Sequence, residues 1–164
     1  MNELQHFPEP DKTTVTSTNS MPTDQLVRFM GETHVARLGT INSDGWPHVT
    51  PVWYVWEGEG ALIILGESRR HLRNLQRDPR VTLCVDEDYR IARGFSAGAQ
   101  AVVIRGTAAI DHDGERLQAV YAKEAERYLG PEGAQDPAYV AAVASERRVL
   151  VVLTPVHIVS WDFT

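Results

Sequence analysis

Cysteine is almost missing from this chain: one thiol, Cys84, occurs in 164 residues. A single thiol excludes any intrachain disulfide and any cysteine-based metal centre. Set in the apolar run 81–85, Cys84 reads as a small core residue. Long apolar runs are missing too. Those present, such as residues 61–65, fall far below the roughly 18 residues a membrane-spanning helix needs. The start of the chain shows no charged-then-apolar leader pattern, so a soluble, cytoplasmic protein with no membrane partner is expected. Basic charge is scarce: 16 Lys and Arg against 22 Asp and Glu leave a net charge of −6 and a pI near 5.5. No nucleic-acid partner is expected against that background without a local basic patch. Gly-x-Gly-x-x-Gly and Walker patterns are absent, which argues against Rossmann and P-loop nucleotide sites. None of the six histidines forms His-x-His or His-Glu-x-x-His, so no metal site is expected. Ser68 lacks the Gly-x-Ser-x-Gly setting of a nucleophile elbow.

What is present is a patterned domain behind a polar arm. Residues 1–22 are rich in Thr, Ser, Asn and Pro and read as a flexible arm. Residues 23–164 read as one domain, long enough to bury a sizeable core. Thr23 is the expected N-cap of a short helix carrying Leu26, Val27, Phe29 and Met30. Strands are expected over 35–41, 47–56 and 61–65, joined by Gly-containing turns. A helix capped by Ser68 carries Leu72 and Leu75 and stops before Pro79. Further strands are expected over 80–86 and 101–110, with a loop over 87–98 between them. Helices follow over 115–128 and from Pro137, with Asp136 as N-cap of the second. Strands over 149–153 and 157–161 close the chain, with Pro155 as a break between them. Short connections between successive strands point to an α+β, mainly β protein, a small antiparallel barrel with peripheral helices.

Two segments carry chemistry. In Gly66-Glu67-Ser68-Arg69-Arg70-His71, two arginines open a helix whose macrodipole favours anions there. Guanidinium forks beside free helix N–H groups form a strong receptor for a dianionic phosphate. The same charges also fit a solvated basic face. In strand 47–56, alternation puts His48, Thr50, Val52, Tyr54 and Trp56 on one side and Val49, Pro51, Trp53 and Val55 on the other. Pro51 places that strand at an edge or a bulge, where exposed backbone beside aromatic side chains can receive a flat ring. Those aromatics fit core packing equally. Arg69, Arg73 and Arg77 share one helix face, either a solvated stripe or a surface for an acidic tail.

At these segments the sequence resembles the pyridoxamine 5′-phosphate oxidase-like, flavin-binding split barrels. The likeness rests on Pro47-His48-Val49-Thr50-Pro51-Val52-Trp53, Glu67-Ser68-Arg69-Arg70 and Asn74-Leu75-Gln76-Arg77-Asp78-Pro79-Arg80-Val81. It continues through Val102-Val103-Ile104-Arg105-Gly106 to Arg147-Arg148-Val149-Leu150, which is most similar to the branch that uses the deazaflavin coenzyme F420. The resemblance implies a six-stranded antiparallel split β-barrel, homodimeric, with FMN or F420 bound at the subunit interface. It implies that Ser68, Arg69 and Arg70 hold the cofactor phosphate. His48, Val49, Thr50, Pro51 and Val52 would line the ring, Leu65 and Gly66 would flank the ribityl chain, and Gln100 would match a further cofactor contact. The implied activity is hydride transfer between cofactor and a small conjugated substrate, with His48, Thr50 and Tyr54 as the groups nearest the ring. The alternatives are an FMN-binding relative of the oxidase and a flavin- or haem-binding protein without turnover. The oxidase's own Arg-x-Val-Leu-Leu-Lys strand and C-terminal Arg-Leu-His string have no counterpart here, so pyridoxamine phosphate is not the expected substrate.

Overall fold

The computed structural model describes residues 20–58, 60–87 and 99–163. Most of the expected N-terminal arm and of the loop over 87–98 lies outside them. The elements run α1 (Thr23–Gly31), β1 (Ala36–Ile41), β2 (Pro47–Val52), β3 (Val55–Glu57), β4 (Gly60–Gly66), α2 (Arg70–Arg77), β5 (Arg80–Asp86), β6 (Gln100–Asp111), α3 (Gly114–Leu129), a 3-10 turn (Gly133–Gln135), α4 (Pro137–Ala144) and β7 (Arg148–Asp162). No described helix is long and apolar enough to cross a membrane.

The strands form a single antiparallel sheet in the order β2-β1-β5-β6-β7-β4-β3. Seven strands stand where the resemblance implied six. Its two outermost strands, β2 and β3, are consecutive in sequence and separated only by Trp53 and Tyr54. A flat seven-strand sheet would hold its edges about 29 Å apart. The three Cα steps from Val52 to Val55 span at most about 11 Å. The sheet therefore has to curl until its edges nearly meet, giving an open barrel with a seam.

Sequence periodicity ran 47–56 together as one strand because nothing local marks that seam. Tertiary contacts break it. Tyr54 leaves the ladder, its N–H donates to the Tyr128 hydroxyl of α3 (3.1 Å), and that hydroxyl donates to the His34 carbonyl (2.7 Å). The Tyr54 ring is fully buried, its own hydroxyl reaches the Met30 carbonyl (3.1 Å), and the Arg127 guanidinium lies over its face at 4.5 Å.

Near the C-terminus the opposite correction applies. The expected strands 149–153 and 157–161 are one strand, β7, running through Pro155. Its pairing with β6 shifts register between Arg105 and Gly106, and Pro155, which has no N–H to donate, falls opposite Gly106. A Cβ on Gly106 would sit 2.2 Å from the Thr154 carbonyl oxygen, so only glycine admits this close approach. Smaller shifts occur elsewhere. Pro22, not Thr23, caps α1. Cys84 is half-buried on the face of β5 opposite Leu83 and Val85, which enter the core.

Leu38, Ile63, Leu83, Val102, Ile104, Val151 and Leu153 fill the barrel interior, closed by Phe29 and Met30 of α1 and by Leu72 and Leu75 of α2. A second cluster packs α3 onto the outer side of β4 and β7 through Leu62, Val120, Tyr121 and Leu150.

Replacing Tyr128 with Phe deletes the hydroxyl that serves three backbone groups at the seam, the Tyr54 N–H and the carbonyls of His34 and Tyr54. A loss of about 1–3 kcal/mol is expected in denaturant unfolding, the cost of stranding buried partners; an unchanged midpoint would show that the seam does not depend on this hydroxyl.

Candidate functional site

β4 delivers the chain to the mouth of the barrel. Leu65 turns its side chain into the core and Gly66 ends the strand. Glu67 and Ser68 make a turn in which the Arg69 N–H donates to the Gly66 carbonyl (3.1 Å), and α2 begins at Arg70. Its far end is locked to β1. The buried Asn74 amide donates to Thr40 Oγ1 (3.0 Å) and to Asn42 Oδ1 (3.1 Å), and the Arg77 guanidinium donates to the Ile41 carbonyl. With α2 held in this way, the His71 ring lies almost parallel to that of His48 on β2, 6.5 Å between centroids and 14° between planes. Burial, then His48 and Arg69, push the His71 pKa down, against the opposing pull of Glu146.

Ser68 does not cap α2; Arg69 takes that place, without any side-chain cap. The serine hydroxyl is committed elsewhere. It donates to Glu146 Oε2 (2.8 Å), while Arg69 Nε and Nη2 both donate to Glu146 Oε1 (3.0 and 2.6 Å). Glu146 stands between α4 and β7, and nothing in its local sequence marks it as a partner. The ladder brings it there: Gly66 pairs with Arg148, and the Glu67 N–H donates to the Arg147 carbonyl (2.8 Å). Hydrogen bonds from Ser68 and then Arg69 hold the Glu146 carboxyl below the usual carboxylate range. The first turn of α2 contains no acidic residue, so Glu146 supplies from a distance the negative charge that a helix N-terminus favours.

The other sequence candidates divide. His48, Thr50 and Val52 share the half-buried side of β2, with Val49 and Pro51 exposed on the other side. β2 is an edge strand, as Pro51 suggested. Arg69 and Arg70 are both exposed at the start of α2. The stripe of Arg69, Arg73 and Arg77 is not a common surface, because Arg73 turns back to the Ser68 carbonyl and Arg77 to that of Ile41. Tyr54 is in the core and cannot reach a ring on β2. Trp53 is stacked on Tyr128 at 4.5 Å and 4°, so the packing explanation of that aromatic holds. Gln100 pairs with Asp162, at the opposite end of β7 from Arg148 and Gly66. It lines an apolar groove of about 260 Å³ with Ala99, Ala101, Trp161 and Phe163. Among the described residues, no group of three or more His, Cys, Asp or Glu is placed to hold a metal ion.

One buried acid escaped the sequence reading. Glu124 of α3 is 7% exposed and faces Tyr139 of α4, whose hydroxyl is 3.4 Å from its Oε1. Burial raises its pKa from an ordinary 4.5 to about 7, against the opposing pull of the Tyr139 hydrogen bond and of Arg148 on β7. Tyr139 is raised in turn, by burial and by Glu124. This contact seats α4, which ends two residues before Glu146.

A curled antiparallel sheet with helices packed at its ends and side is the architecture of the pyridoxamine 5′-phosphate oxidase-like split barrels. The chain belongs to the pyridoxamine 5′-phosphate oxidase family, whose pattern matches residues 22–162. Among solved structures it is similar to the conserved hypothetical protein Rv2991 of Mycobacterium tuberculosis, 26% identical with a TM-score of 0.77, covering 90% of this chain and 89% of that one. It is also similar to a structure named F420 reductase, 25% identical with a TM-score of 0.55, covering 80% of this chain and 93% of that one. A curated relative, the heme oxygenase HutZ of Vibrio cholerae serotype O1, is 26% identical over 104 residues. That match takes in 63% of this chain, and the chain spans 59% of the length of HutZ.

Glu124 yields a pH test. Between about pH 4.5 and 7 the folded chain holds a proton that the unfolded chain has released, so this group makes stability fall as pH rises through that window. E124Q removes the ionisation. Urea unfolding should show E124Q more stable than the wild type by up to about 3.5 kcal/mol at pH 8, at about 1.4 kcal/mol per pKa unit, with little difference at pH 4.5. Parallel pH profiles for the two proteins would contradict this.

Proposed function

We propose that the protein binds FMN or F420 and acts as an oxidoreductase that passes hydride between the bound cofactor and a small, planar conjugated substrate. The observation that carries this reading is the carboxylate seated against Ser68 and Arg69, with Arg70 exposed alongside. The same donors suit a phosphate group. Hydroxyl, guanidinium edge and helix start converge on one anion, and guanidinium forks match phosphate oxygens in pairs.

The remaining roles follow from position. Gly66, next to core-facing Leu65, has no side chain, and the Glu146 carboxylate fills the space this leaves, so a ribityl chain lies along this backbone once that carboxylate moves aside. His48, Thr50 and Val52 present a half-buried side to a flat ring, and Val49 and Pro51 contribute the backbone of an edge strand. His71, stacked beside His48, offers ring nitrogens for hydrogen bonding, and burial beside that second imidazole disfavours its charged form. The cofactor supplies the hydride chemistry, and the chain binds it, orients it and excludes water. F420 is favoured over FMN by the 25%-identical structure of that name. Gln100 and its groove lie at the far end of the sheet, so they join this site only from a second copy of the chain. Exposed Trp46 (72%) and Val49 (63%) on the β1–β2 hairpin support a homodimer that buries that apolar edge.

Haem binding is the second reading, favoured by the likeness to the heme oxygenase HutZ and by two near-parallel imidazoles at the site, a ligand type that haem iron accepts.

Mass spectrometry of the small molecule released from purified protein, followed by titration with FMN, F420 and haemin, separates these readings. A flavin or deazaflavin that a reduced or oxidised partner can turn over supports the proposal, whereas haem alone overturns it. Joint replacement of Arg69 and Arg70 by alanine should weaken FMN or F420 binding by about 100-fold, since each charge-assisted hydrogen bond contributes about 1.5–3 kcal/mol. Far-ultraviolet circular dichroism should be unchanged, and equal affinity in the double variant would remove the phosphate role.

A further inference from the structure

We infer that Glu146 is an internal competitor for the anion site, a carboxylate latch that an incoming phosphate must displace. This rests on the proposed phosphate role of Ser68 and Arg69 and adds a residue that sets how strongly, and for which anions, the site opens.

The carboxylate uses the donors a phosphate would need. Oε1 takes both Nε and Nη2 of Arg69, and Oε2 takes the Ser68 hydroxyl. It is seated deliberately. A Cβ on Gly66 would lie 2.4 Å from the Glu146 Cδ and Oε2 and 2.5 Å from Oε1, so the seat exists only because residue 66 has no side chain. The flanking backbone is anchored on both sides, by the Glu67 N–H on the Arg147 carbonyl (2.8 Å) and by Arg148 Nη2 on the Ala142 carbonyl (2.8 Å). The latch is also accessible: the Arg69 side chain is 58% exposed and that of Glu146 18%. An anion arriving from solvent meets the guanidinium first and the carboxylate behind it. Two anions cannot share these donors without repulsion. Ligands without an anionic group leave the latch closed, whereas a phosphate, with about −1.5 to −2 charges and three acceptor oxygens as a monoester, can take its place.

The test uses full-length protein, the variants E146A, R69A and E146A/R69A, and E67Q as a control that removes a neighbouring charge without touching the contact. FMN and F420 are titrated, riboflavin serves as the phosphate-free probe, and inorganic phosphate alone is followed by thermal shift. A latch predicts that E146A binds FMN or F420 about tenfold or more tightly, gains a larger phosphate-induced rise in melting temperature, and leaves riboflavin affinity unchanged. E67Q should change affinity by less than about twofold, and R69A should abolish the gain. If FMN or F420 binds the wild type and E146A binds it equally or more weakly, the latch is overturned while the cofactor reading stands. If E146A gains for phosphate but neither cofactor binds any form, the latch stands and the cofactor reading falls. An equal gain in E67Q reduces the effect to net charge and overturns the latch.

Discussion

Two residues join the outermost strands of this sheet, and that short link governs the rest. Because Trp53 and Tyr54 are all that separates β2 from β3, the seven strands cannot lie flat. Curling them creates an enclosed core for Leu38, Ile63, Leu83 and Leu153 and leaves a seam where the ladder is broken. Polar groups freed at the seam are taken up by one hydroxyl of α3, and the link's aromatics are spent on Tyr128 and Arg127. The stretch that sequence alternation offers as one strand is therefore an edge strand, a strap of two packed aromatics and a second short strand.

The mouth of the barrel is organised by charge. Helix α2 begins with two arginines and has no acid of its own, an arrangement that electrostatics disfavours in isolation. Long-range pairing of β4 with β7 resolves it by carrying Glu146 to within hydrogen-bond distance of Ser68 and Arg69. The ion pair is largely solvent-facing, so its contribution to stability is small. Its importance lies in which donors it occupies. The Ser68 hydroxyl and the Arg69 guanidinium are both taken by Glu146, and Gly66 is the residue whose lack of a side chain lets the carboxylate sit there.

Much of this was legible beforehand wherever a local rule applied. Asp136 before Pro137 marks the start of α4, and the observed helix begins there with the aspartate accepting from Ala138 and Tyr139. Pro51 marks β2 as an edge strand. Two arginines at a helix start call for a compensating anion, and the structure pairs one of them, Arg69, with the Glu146 carboxylate. Local rules misled where a distant contact won. Pro155 signals a break, yet β7 continues because Gly106 and a register shift accommodate it from across the ladder. Ser68 has the chemistry of an N-cap, yet its hydroxyl donates to the distant Glu146 carboxylate and the cap position falls one residue later, at Arg69.

By itself, the sequence determined the kind of elements, their order and the charge concentrated at residues 66–71, because hydropathy period, turn chemistry and capping act over a few residues. Only the tertiary structure decided the seam at Trp53 and Tyr54, the partner of Arg69, the buried acid Glu124 and the separation of Gln100 from the arginines. Each of these depends on pairing between strands or helices far apart in the chain, and no local pattern encodes which distant carboxylate or hydroxyl will arrive.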